Sequence, residues 1–454
     1  MSGCCETQIG QPVRSPRILS LDGGGIRGLS SLIILEEIMR QVSKARNMKN
    51  IMRPCDYFHL IGGTSTGGII AIMLGRLEMT VDACIKAYKR VAAQAFTPKY
   101  GKILPASPRG AFSAKSLESV MKQIIRENCV ENECREQRSQ GSLTGLPCPH
   151  DEMPFYKSSL TKTVVIAITK ENVNAPPTLL RSYDDTQSFQ FCPIWQVARA
   201  TSAATTFFKS ICLGRDEIEF IDAGFGYNNP CELLIAEAER LFPAEENRKN
   251  MQILSIGTGI GDVVAIKDRR MSIIKALKKM ATSSSKVEAA LSDRYGDGGR
   301  YHRFAVSEGL GNVALSDWQL ASQISAHTHN YLRSQEKRIK HYVVGIPSDG
   351  SSGDSIKSEE RERTALDKTA ADRPDIDPEI VQNTSDSRFP GRPWIRQGGS
   401  VFCSTIRGKD VRQGNRVDIS PHPARYCSLD QEGSNFGGEI YSEQKVEQGN
   451  YIKV

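Results

Sequence analysis

The hydrophobic and polar positions at the start of the chain form the same unit twice. Residues 17–22 make a short apolar, β-prone run, which predicts a buried strand. A glycine run follows, and residues 29–42 then carry apolar side chains at helical spacing. The order recurs as a predicted strand over residues 57–61, a second glycine run and a predicted helix over residues 69–77. Two such units in about eighty residues predict an α/β fold with a mainly parallel sheet.

The pattern adds further elements of both kinds downstream. Strands are predicted over residues 163–169, 217–221 and 252–256, and helices over residues 116–127, 194–204, 230–241 and 318–340. The stretch between residues 135 and 151 is polar and rich in Gly and Pro, which predicts a surface insertion.

The composition changes beyond residue 345. Residues 348–386 are rich in Ser, Asp, Glu and Arg and poor in apolar residues, which predicts disorder or a linker. We therefore expect four segments: a flexible N-terminus over residues 1–15, one folded domain over 16–345 with its core motifs in 17–230 and a helical remainder in 231–345, a disordered linker over 346–390, and a largely disordered tail over 391–454.

The tail contains a faint repeat. Val411–Val417 resembles Val446–Ile452 at an offset of 35 residues (446 − 411), and the run that starts at Ile395 is a degenerate third copy. The Gln-Gly-Asn turns in both full copies predict small β-hairpins or a recognition tail for a protein partner. Two full copies are too few to predict a solenoid.

Composition indicates the cellular compartment, whereas the net charge does not identify the binding partner. The net charge of +7 suits an anionic lipid surface, a nucleic acid or simple solubility equally. The twelve cysteines follow no regular framework, the N-terminus lacks the apolar core of a signal peptide, and no apolar run is long enough to span a membrane. We therefore expect a cytoplasmic protein with free thiols, in which Cys4 and Cys5 are weak candidates for palmitoylation.

Four residues around the polar insertion could be drawn as a zinc site. They are Cys129, Cys134, Cys148 and His150. Their spacing matches no common zinc finger, so we predict no metal and no other cofactor.

The second glycine run is a G-x-S-x-G sequence from Gly63 to Gly67, with Ser65 at its centre. A serine at a sharp turn between a strand and a helix exposes its hydroxyl as a nucleophile, and the glycines at both ends make room for the turn. The helix that begins after Ser65 directs its positive end at the hydroxyl, which favours developing negative charge. The simpler alternative is a plain glycine-rich turn.

The first glycine run, Asp22–Gly28, predicts backbone donors for an oxyanion. Consecutive glycines at Gly23, Gly24 and Gly25 let their N–H groups turn toward one point, which a tetrahedral intermediate requires. The same run is formally a dinucleotide-binding fingerprint. That interpretation needs an acidic residue at the end of a second strand, whereas the corresponding region is helical in pattern. Arg27 is either structural or meets a substrate phosphate.

Asp222 ends a predicted strand and is followed by Ala223 and Gly224. Small neighbours let a carboxylate approach another active-site group closely, and a carboxylate can act as the base for a serine without a histidine. The alternative role for this aspartate is to cap a turn.

These three motifs, in this order, resemble those of the patatin-like phospholipases. The resemblance runs from about Pro16 to Gly345 and extends to Ala198–Ala204, Tyr227–Pro230 and Ile253–Gly259. It implies a three-layer α/β/α domain and a dyad of Ser65 and Asp222, with an oxyanion hole around Gly24 and Gly25. It also implies calcium-independent hydrolysis of fatty acyl esters through an acyl-enzyme. Two departures are an Asp-Ala-Gly third motif in place of Asp-Gly-Gly, and Thr205 or Thr206 where the family often has proline.

Two other interpretations remain open from the sequence. Ser65 and Asp222 are followed by His327, His329 and His341, which is the chain order of a Ser–Asp–His esterase. Alternatively, the domain is a non-catalytic interaction module whose partners bind through the tail.

Residues 269–280 predict a basic amphipathic helix that rests on anionic headgroups. We accordingly expect a membrane or lipid-aggregate surface as the peripheral partner, and no nucleic acid. Packing of this helix on the sheet is the alternative.

Charge reversal at Lys275, Lys278 and Lys279 should weaken binding to vesicles that contain anionic lipid, because the attraction between the helix and the headgroups is lost. Vesicle co-sedimentation measures the effect. Unchanged binding of the triple variant to anionic vesicles would refute the amphipathic-helix hypothesis.

Overall fold

The structure is a computed structural model, and it falls into two compact units, residues 1–349 and 350–454, each considered by itself. In the first unit it describes residues 15–97, 112–139, 148–157, 159–173, 175–183, 189–204, 207–259, 284–296 and 298–345, and in the second a set of strands between residues 395 and 453. Within these residues no helix is both long and apolar enough to cross a membrane.

The first unit is built on one eight-stranded sheet. Its strands are β1 (Arg17–Leu21), β2 (Leu60–Thr64), β3 (Lys162–Thr169), β4 (Thr178–Arg181), β5 (Ile211–Leu213), β6 (Ile218–Asp222), β7 (Gln252–Ile256) and β8 (Tyr301–Phe304). They lie in the order β5-β6-β3-β2-β1-β7-β8, with β4 also paired to β3. The five strands from β3 to β8 along this order are parallel, and β4, β5 and β6 form an antiparallel side.

Helices cover both faces of this sheet. They are α1 (Gly28–Ala45), α2 (Pro54–Tyr57), α3 (Thr66–Ala71), α4 (Val81–Ala95), α5 (Ala114–Glu127), α6 (Asn132–Ser139), α7 (Ile194–Thr201), α8 (Gly224–Tyr227), α9 (Cys231–Leu241), α10 (Glu245–Asn250), α11 (residues 284–295) and α12 (Ala321–Val344). A π-helical turn over Ile72–Arg76 continues α3.

The side chains of β3 show why the fold has three layers. Val165 and Ala167 belong to the larger apolar cluster, which includes residues of α1, α4, α5 and α7. Val164 and Ile166 face the other way, into a cluster with residues of α9 and α11. Because side chains alternate along a strand, an unbroken apolar run is what a sheet buried on both faces requires. The predicted three-layer α/β/α architecture with a mainly parallel sheet is confirmed.

Most predicted elements lie within a few residues of their observed positions, and β7 has the predicted bounds. The strand predicted over residues 57–61 is wrong at its start. Pro54 begins a helical turn that ends at Tyr57, and the strand covers Leu60–Thr64 instead. Proline favours the first turn of a helix, because its missing N–H has no partner there. The predicted insertion between residues 135 and 151 begins in α6 and includes a short 3-10 helix, His150–Glu152.

The described residues of the second unit form eight strands: β9 (Ile395–Gln397), β10 (Ser400–Phe402), β11 (Ile406–Arg412), β12 (Arg416–Asp418), β13 (Asp430–Gln431), β14 (Ser434–Asn435), β15 (Ile440–Glu447) and β16 (Tyr451–Lys453). The two repeat copies pair with each other: β11 and β15 are parallel, with Val411 opposite Val446. The strands that flank each Gln-Gly-Asn turn do not pair as the predicted hairpins, whereas β9 and β10 do form an antiparallel pair.

Several predictions concern residues that the structure does not describe. These are the flexible N-terminus to residue 14, the basic helix over residues 269–280, the threonines at 205 and 206, and the linker over residues 346–390.

Candidate active site

The register of three strands brings Ser65 and Asp222 together. Thr64, the last residue of β2, lies opposite Ile166 of the parallel strand β3. The next residue of β3, Ala167, lies opposite Asp222 at the end of the antiparallel strand β6. Since Ser65 follows Thr64, the serine and the aspartate flank Ala167 from its two sides, although 157 residues separate them in sequence.

The two side chains are in direct contact. The Ser65 hydroxyl donates a hydrogen bond to Oδ2 of Asp222 at 2.5 Å. Both residues are buried, with 8% of Ser65 and 4% of Asp222 exposed. Ser65 has φ 57° and ψ −128°, a conformation that is uncommon for a residue with a Cβ and is typical of functional turns. The predicted sharp turn at Ser65 is therefore present.

The glycines at both ends of this turn permit a close backbone approach. A Cβ on Gly63 would lie 2.3 Å from the backbone carbon and oxygen of Gly67, and one on Gly67 would lie 2.4 Å from the carbonyl oxygen of Leu21. These contacts are with backbone atoms, which cannot swing away. The two glycines therefore let the start of α3 pack directly against the ends of β1 and β2.

The environment of Asp222 adjusts its basicity. Burial raises the pKa of this carboxyl to about 6, and the hydrogen bonds from the Ser65 hydroxyl and from the Gly224 amide oppose that rise. The Gly224 amide donates to Oδ1 at 2.7 Å, so each carboxylate oxygen has a partner. A carboxylate with a pKa near 6 is ionised at neutral pH and is a stronger base than an exposed aspartate.

The three predicted oxyanion donors have different partners. The Gly23 amide donates to the Asn228 carbonyl at 3.1 Å, which commits it to the fold. The Gly24 amide donates to the Thr66 hydroxyl at 3.1 Å. Within the described residues the Gly25 amide has no hydrogen-bond partner. Gly25 has φ +56°, and a Cβ there would lie 2.2 Å from the Leu315 carbonyl oxygen, so the position requires glycine. Gly24 and Gly25 are therefore the candidate donors, and Gly23 is not.

Asp22 anchors this loop through a buried ion pair. Both of its carboxylate oxygens accept from the Arg303 guanidinium, at 2.9 and 2.6 Å. Burial raises the pKa of Asp22, and the charge of Arg303 opposes that effect. Arg303 lies 281 residues away, on β8, and the sequence analysis did not identify it. Its strand is short and carries polar residues, so the hydrophobic pattern did not predict it.

Arg27 has a structural role. Its side chain is 1% exposed, and its guanidinium donates to the carbonyl of Val313 at 2.8 and 2.5 Å and to that of Gly259 at 3.4 Å. The guanidinium thus faces the interior, so the alternative role in binding a substrate phosphate is wrong. Gly28, next to it, leaves room for the Tyr88 hydroxyl, which lies 2.4 Å from the position of a Cβ there.

Thr201 is a second residue that the sequence analysis missed. Its hydroxyl accepts from the Ser65 amide at 2.8 Å and donates to the Ile166 carbonyl at 2.7 Å. It therefore links the end of α7 to the turn that carries the nucleophile. The clue in the sequence was its place in the Ala-Thr-Ser-Ala-Ala run, which resembled the family without indicating a role.

A comparison with family models places these motifs. Residues 19–235 match the model described as patatin-like phospholipase, and this range includes Ser65, Asp222 and the oxyanion loop. These residues form a patatin-like phospholipase domain.

Curated relatives of the domain are distant. Human calcium-independent phospholipase A2-gamma is 26% identical over 255 residues, 54% of this chain and 28% of that protein. Patatin-17 of Solanum cardiophyllum is 28% identical over 275 residues, 56% of this chain and 62% of that protein. Probable inactive patatin-like protein 9 of Arabidopsis thaliana is 25% identical over 260 residues, 54% of this chain and 61% of that protein. The chain therefore spans less than two thirds of each of these relatives.

Among solved structures, human GIVD cytosolic phospholipase A2 aligns with 72% of this chain and 60% of that chain. The identity is 8% and the TM-score is 0.35, so this likeness carries no argument.

The three candidate histidines downstream of Asp222 lie in the described part of the chain and do not contact Ser65 or Asp222. The three downstream candidates contact other residues: His327 packs against Gly309, His341 lies 5.8 Å from the His302 ring, and His329 lies near Glu36 and Glu37. Among the described residues no histidine is hydrogen-bonded to Ser65 or Asp222. The Ser–Asp–His alternative is not supported by this geometry.

The four residues that were set aside as a zinc site do converge. One ligand atom each from Cys129, Cys134, Cys148 and His150 lies within 4.8 Å of the other three. The unfamiliar spacing argued against a metal there, whereas the positions of the side chains reopen the question.

Gly63→Ala should destabilise the patatin-like domain by about 1–3 kcal/mol, because the added methyl group overlaps the Gly67 backbone. Urea unfolding measures this change. Gly226→Ala is the matched control, since a Cβ there meets nothing within 4 Å, and its effect should stay within about 0.5 kcal/mol. Equal effects of the two substitutions would contradict the close-approach argument.

Proposed function

We propose that this chain is a serine lipid acyl hydrolase that cleaves fatty acyl esters of phospholipids or related glycerolipids. The observation that carries the proposal is the 2.5 Å contact between the Ser65 hydroxyl and Asp222, buried beside a loop whose Gly25 amide has no hydrogen-bond partner in the described part of the chain. A nucleophile, a base and an oxyanion donor in one place constitute the machinery of acyl transfer.

The reaction proceeds in two halves. In the first, Asp222 accepts the hydroxyl proton as Ser65 Oγ attacks the ester carbonyl, and the amides of Gly24 and Gly25 stabilise the oxyanion. Collapse of the tetrahedral intermediate expels the alcohol, which takes the proton from Asp222. In the second half, Asp222 removes a proton from water as its oxygen attacks the acyl-enzyme, and Asp222 returns that proton to Ser65 Oγ as the bond to the acyl carbon breaks and the fatty acid leaves.

Thr66 controls one oxyanion donor in this scheme. Its hydroxyl accepts from the Gly24 amide at 3.1 Å, so a rotation of the threonine frees that amide for the oxyanion. The Gly25 amide requires no such change. Each oxyanion donor typically stabilises the transition state by a few kcal/mol, so the second amide adds to the stabilisation that the first provides.

The substrate class rests on the relatives. Human calcium-independent phospholipase A2-gamma is similar to this chain over about half of its length, and its name, like that of the matching family model, indicates a phospholipase. Calcium independence enters the proposal in the same way. Because a lipid ester resides in a bilayer or aggregate, we also propose that the protein contacts such a surface peripherally from the cytoplasm. Binding of a protein partner by the C-terminal tail is a separate part of the proposal.

A second candidate function is a non-catalytic interaction module. The similarity to a plant protein named as probably inactive favours it, because the fold can persist without turnover. Against it stands the intact contact between Ser65 and Asp222.

A serine-directed fluorophosphonate separates the two candidates. The wild-type chain should be labelled at Ser65, and Ser65→Ala should abolish labelling. Asp222→Asn should slow labelling and esterase turnover by roughly 10²–10⁴-fold, because the amide cannot accept the proton. His327→Ala, His329→Ala and His341→Ala are the controls and should retain activity. Folded wild-type protein that resists the probe would favour the interaction module.

The pH dependence should report the Asp222 carboxyl. Burial raises its pKa to about 6, and only the ionised form can accept the serine proton. The second-order rate of fluorophosphonate labelling should therefore be level above that pH and fall about tenfold per pH unit below it. Labelling rates measured at a series of pH values from acid to neutral give the pH at which the rate is half of its plateau value. A midpoint near the ordinary aspartate value of about 4 would contradict the buried-base mechanism.

A further inference from the structure

Three sulfur atoms surround one imidazole nitrogen on the side of the insertion. Nδ1 of His150 lies 3.3 Å from Sγ of Cys129, 3.4 Å from Sγ of Cys134 and 3.4 Å from Sγ of Cys148. The sulfurs of Cys134 and Cys148 are 3.6 Å apart. Cys129 lies just after α5, Cys134 on α6, and Cys148 and His150 at the start of the 3-10 helix, so their convergence is a property of the fold and not of one turn.

Hydrogen bonding alone does not account for this arrangement. A neutral Nδ1 has either one proton or one lone pair to offer, so it can satisfy one thiol and not three. The three thiols are themselves weak donors and acceptors. A cation at the centre would instead attract all four atoms at once.

The distances match the edges of a zinc tetrahedron. With Zn–S bonds near 2.3 Å and Zn–N bonds near 2.0–2.1 Å, tetrahedral angles place two sulfurs about 3.8 Å apart and a sulfur about 3.6 Å from the nitrogen. The three sulfur–nitrogen distances and the Cys134–Cys148 sulfur distance, 3.3 to 3.6 Å, are slightly shorter than these edges, and all four atoms lie within 4.8 Å of one another. Small movements of the side chains around an ion would bring the set to the ideal geometry.

The surroundings suit a structural ion. Cys129 follows the end of α5, Cys134 lies on α6, and His150 begins the 3-10 helix. Cys129 is fully buried and Cys134 is 7% exposed, while Cys148 and His150 are partly covered. Three thiolates and a divalent ion carry one net negative charge. The Arg138 guanidinium lies beside them, because it donates to the Cys129 carbonyl.

We propose that Cys129, Cys134, Cys148 and His150 bind one Zn²⁺ ion as a closed structural site. The three thiols lose their protons to solvent as three Zn–S bonds form, and neutral His150 contributes Nδ1. Because four protein ligands fill the tetrahedron, no position is left for water or substrate, and the ion has no part in the acyl chemistry. The site joins α5, α6 and the 3-10 helix.

The chain beyond the ion leads to the catalytic turn. Glu152, at the end of the 3-10 helix, pairs with Lys122 of α5 at 2.6 Å and accepts from the Trp195 indole of α7 at 2.7 Å. The Ile194 amide donates to the Met153 carbonyl at 2.9 Å. Since α7 ends at Thr201, which accepts from the Ser65 amide, the ion secures the segment against which that helix packs. Its main effect is on stability, and its test is independent of the proposed enzyme activity.

The competing occupant is a disulfide. Cys134 and Cys148 are close enough for their sulfurs to join after a shift to the bonded distance of about 2.05 Å. Among the described residues the cysteines are free thiols. A disulfide would withdraw two ligands and exclude zinc.

Metal analysis of the full chain tests the proposal. Protein purified under reducing conditions without chelator should contain about one zinc per chain by mass spectrometry of the metal. Cys134→Ser and Cys148→Ser should each lower the zinc content several-fold. Cys212→Ser is the matched control, because Cys212 is exposed on β5 and outside the cluster, and it should keep the full content. Cobalt in place of zinc should give the intense visible bands of a tetrahedral thiolate complex.

If the variants fail to fold, chelation and zinc addition test the proposal on the wild-type protein. A strong chelator should lower its melting temperature, and added zinc should restore it. Reduced wild-type chain that binds neither zinc nor cobalt would overturn the proposal. A Cys134–Cys148 disulfide found by peptide mapping of protein alkylated before lysis would overturn it as well. Zinc retained at full content by both Cys→Ser variants would show that the ion binds elsewhere.

Discussion

The site depends on a carboxylate that is kept ionised inside the protein. Removal of Asp222 from water disfavours its charge, and among the described residues no cation pairs with it. Two hydrogen bonds take the place of water, one from the Gly224 amide and one from the Ser65 hydroxyl. This balance leaves the pKa at about 6, where the carboxyl is charged at neutral pH and retains strong affinity for a proton. In the proposed mechanism, one contact therefore prepares both the base and the nucleophile.

The fold meets this requirement with the ends of strands. A parallel sheet presents the ends of β1 and β2 on one edge, and β6 runs antiparallel so that its own end reaches Ala167 of β3. The loop after β1 is held on two sides. The Gly24 amide donates to the Thr66 hydroxyl, next to Ser65, and Asp22 pairs with Arg303 of β8 through two buried hydrogen bonds that offset part of the cost of burial. The antiparallel side of the sheet is thus what distinguishes this site from that of an all-parallel sheet.

Local pattern was sufficient for the elements that carry the chemistry. The strand before Ser65 and the glycines around it have short-range causes, so their prediction succeeded apart from the shift that Pro54 imposes. The roles of Arg303 and Thr201 were not predicted, because they arise only when segments that are distant in sequence come into contact. The Gly23 amide was assigned to the oxyanion for the same reason, since its partner Asn228 lies more than two hundred residues away, beyond what a motif displays. Tertiary partners decide which members of a motif are available.

Sequence spacing alone did not predict that the side chains of the cysteine cluster converge. Spacing rules describe ligands on a single small turn or hairpin, where the intervening residues set the geometry directly. Here the four candidate ligands lie just after α5, on α6 and at the start of the 3-10 helix, so the packing of these segments brings their side chains together. The entropy of closing the loop between two such ligands rises slowly with its length, by about 0.6 kcal/mol per doubling. An unusual separation is therefore weak evidence against a site, and convergence of sulfur and nitrogen atoms is the better criterion.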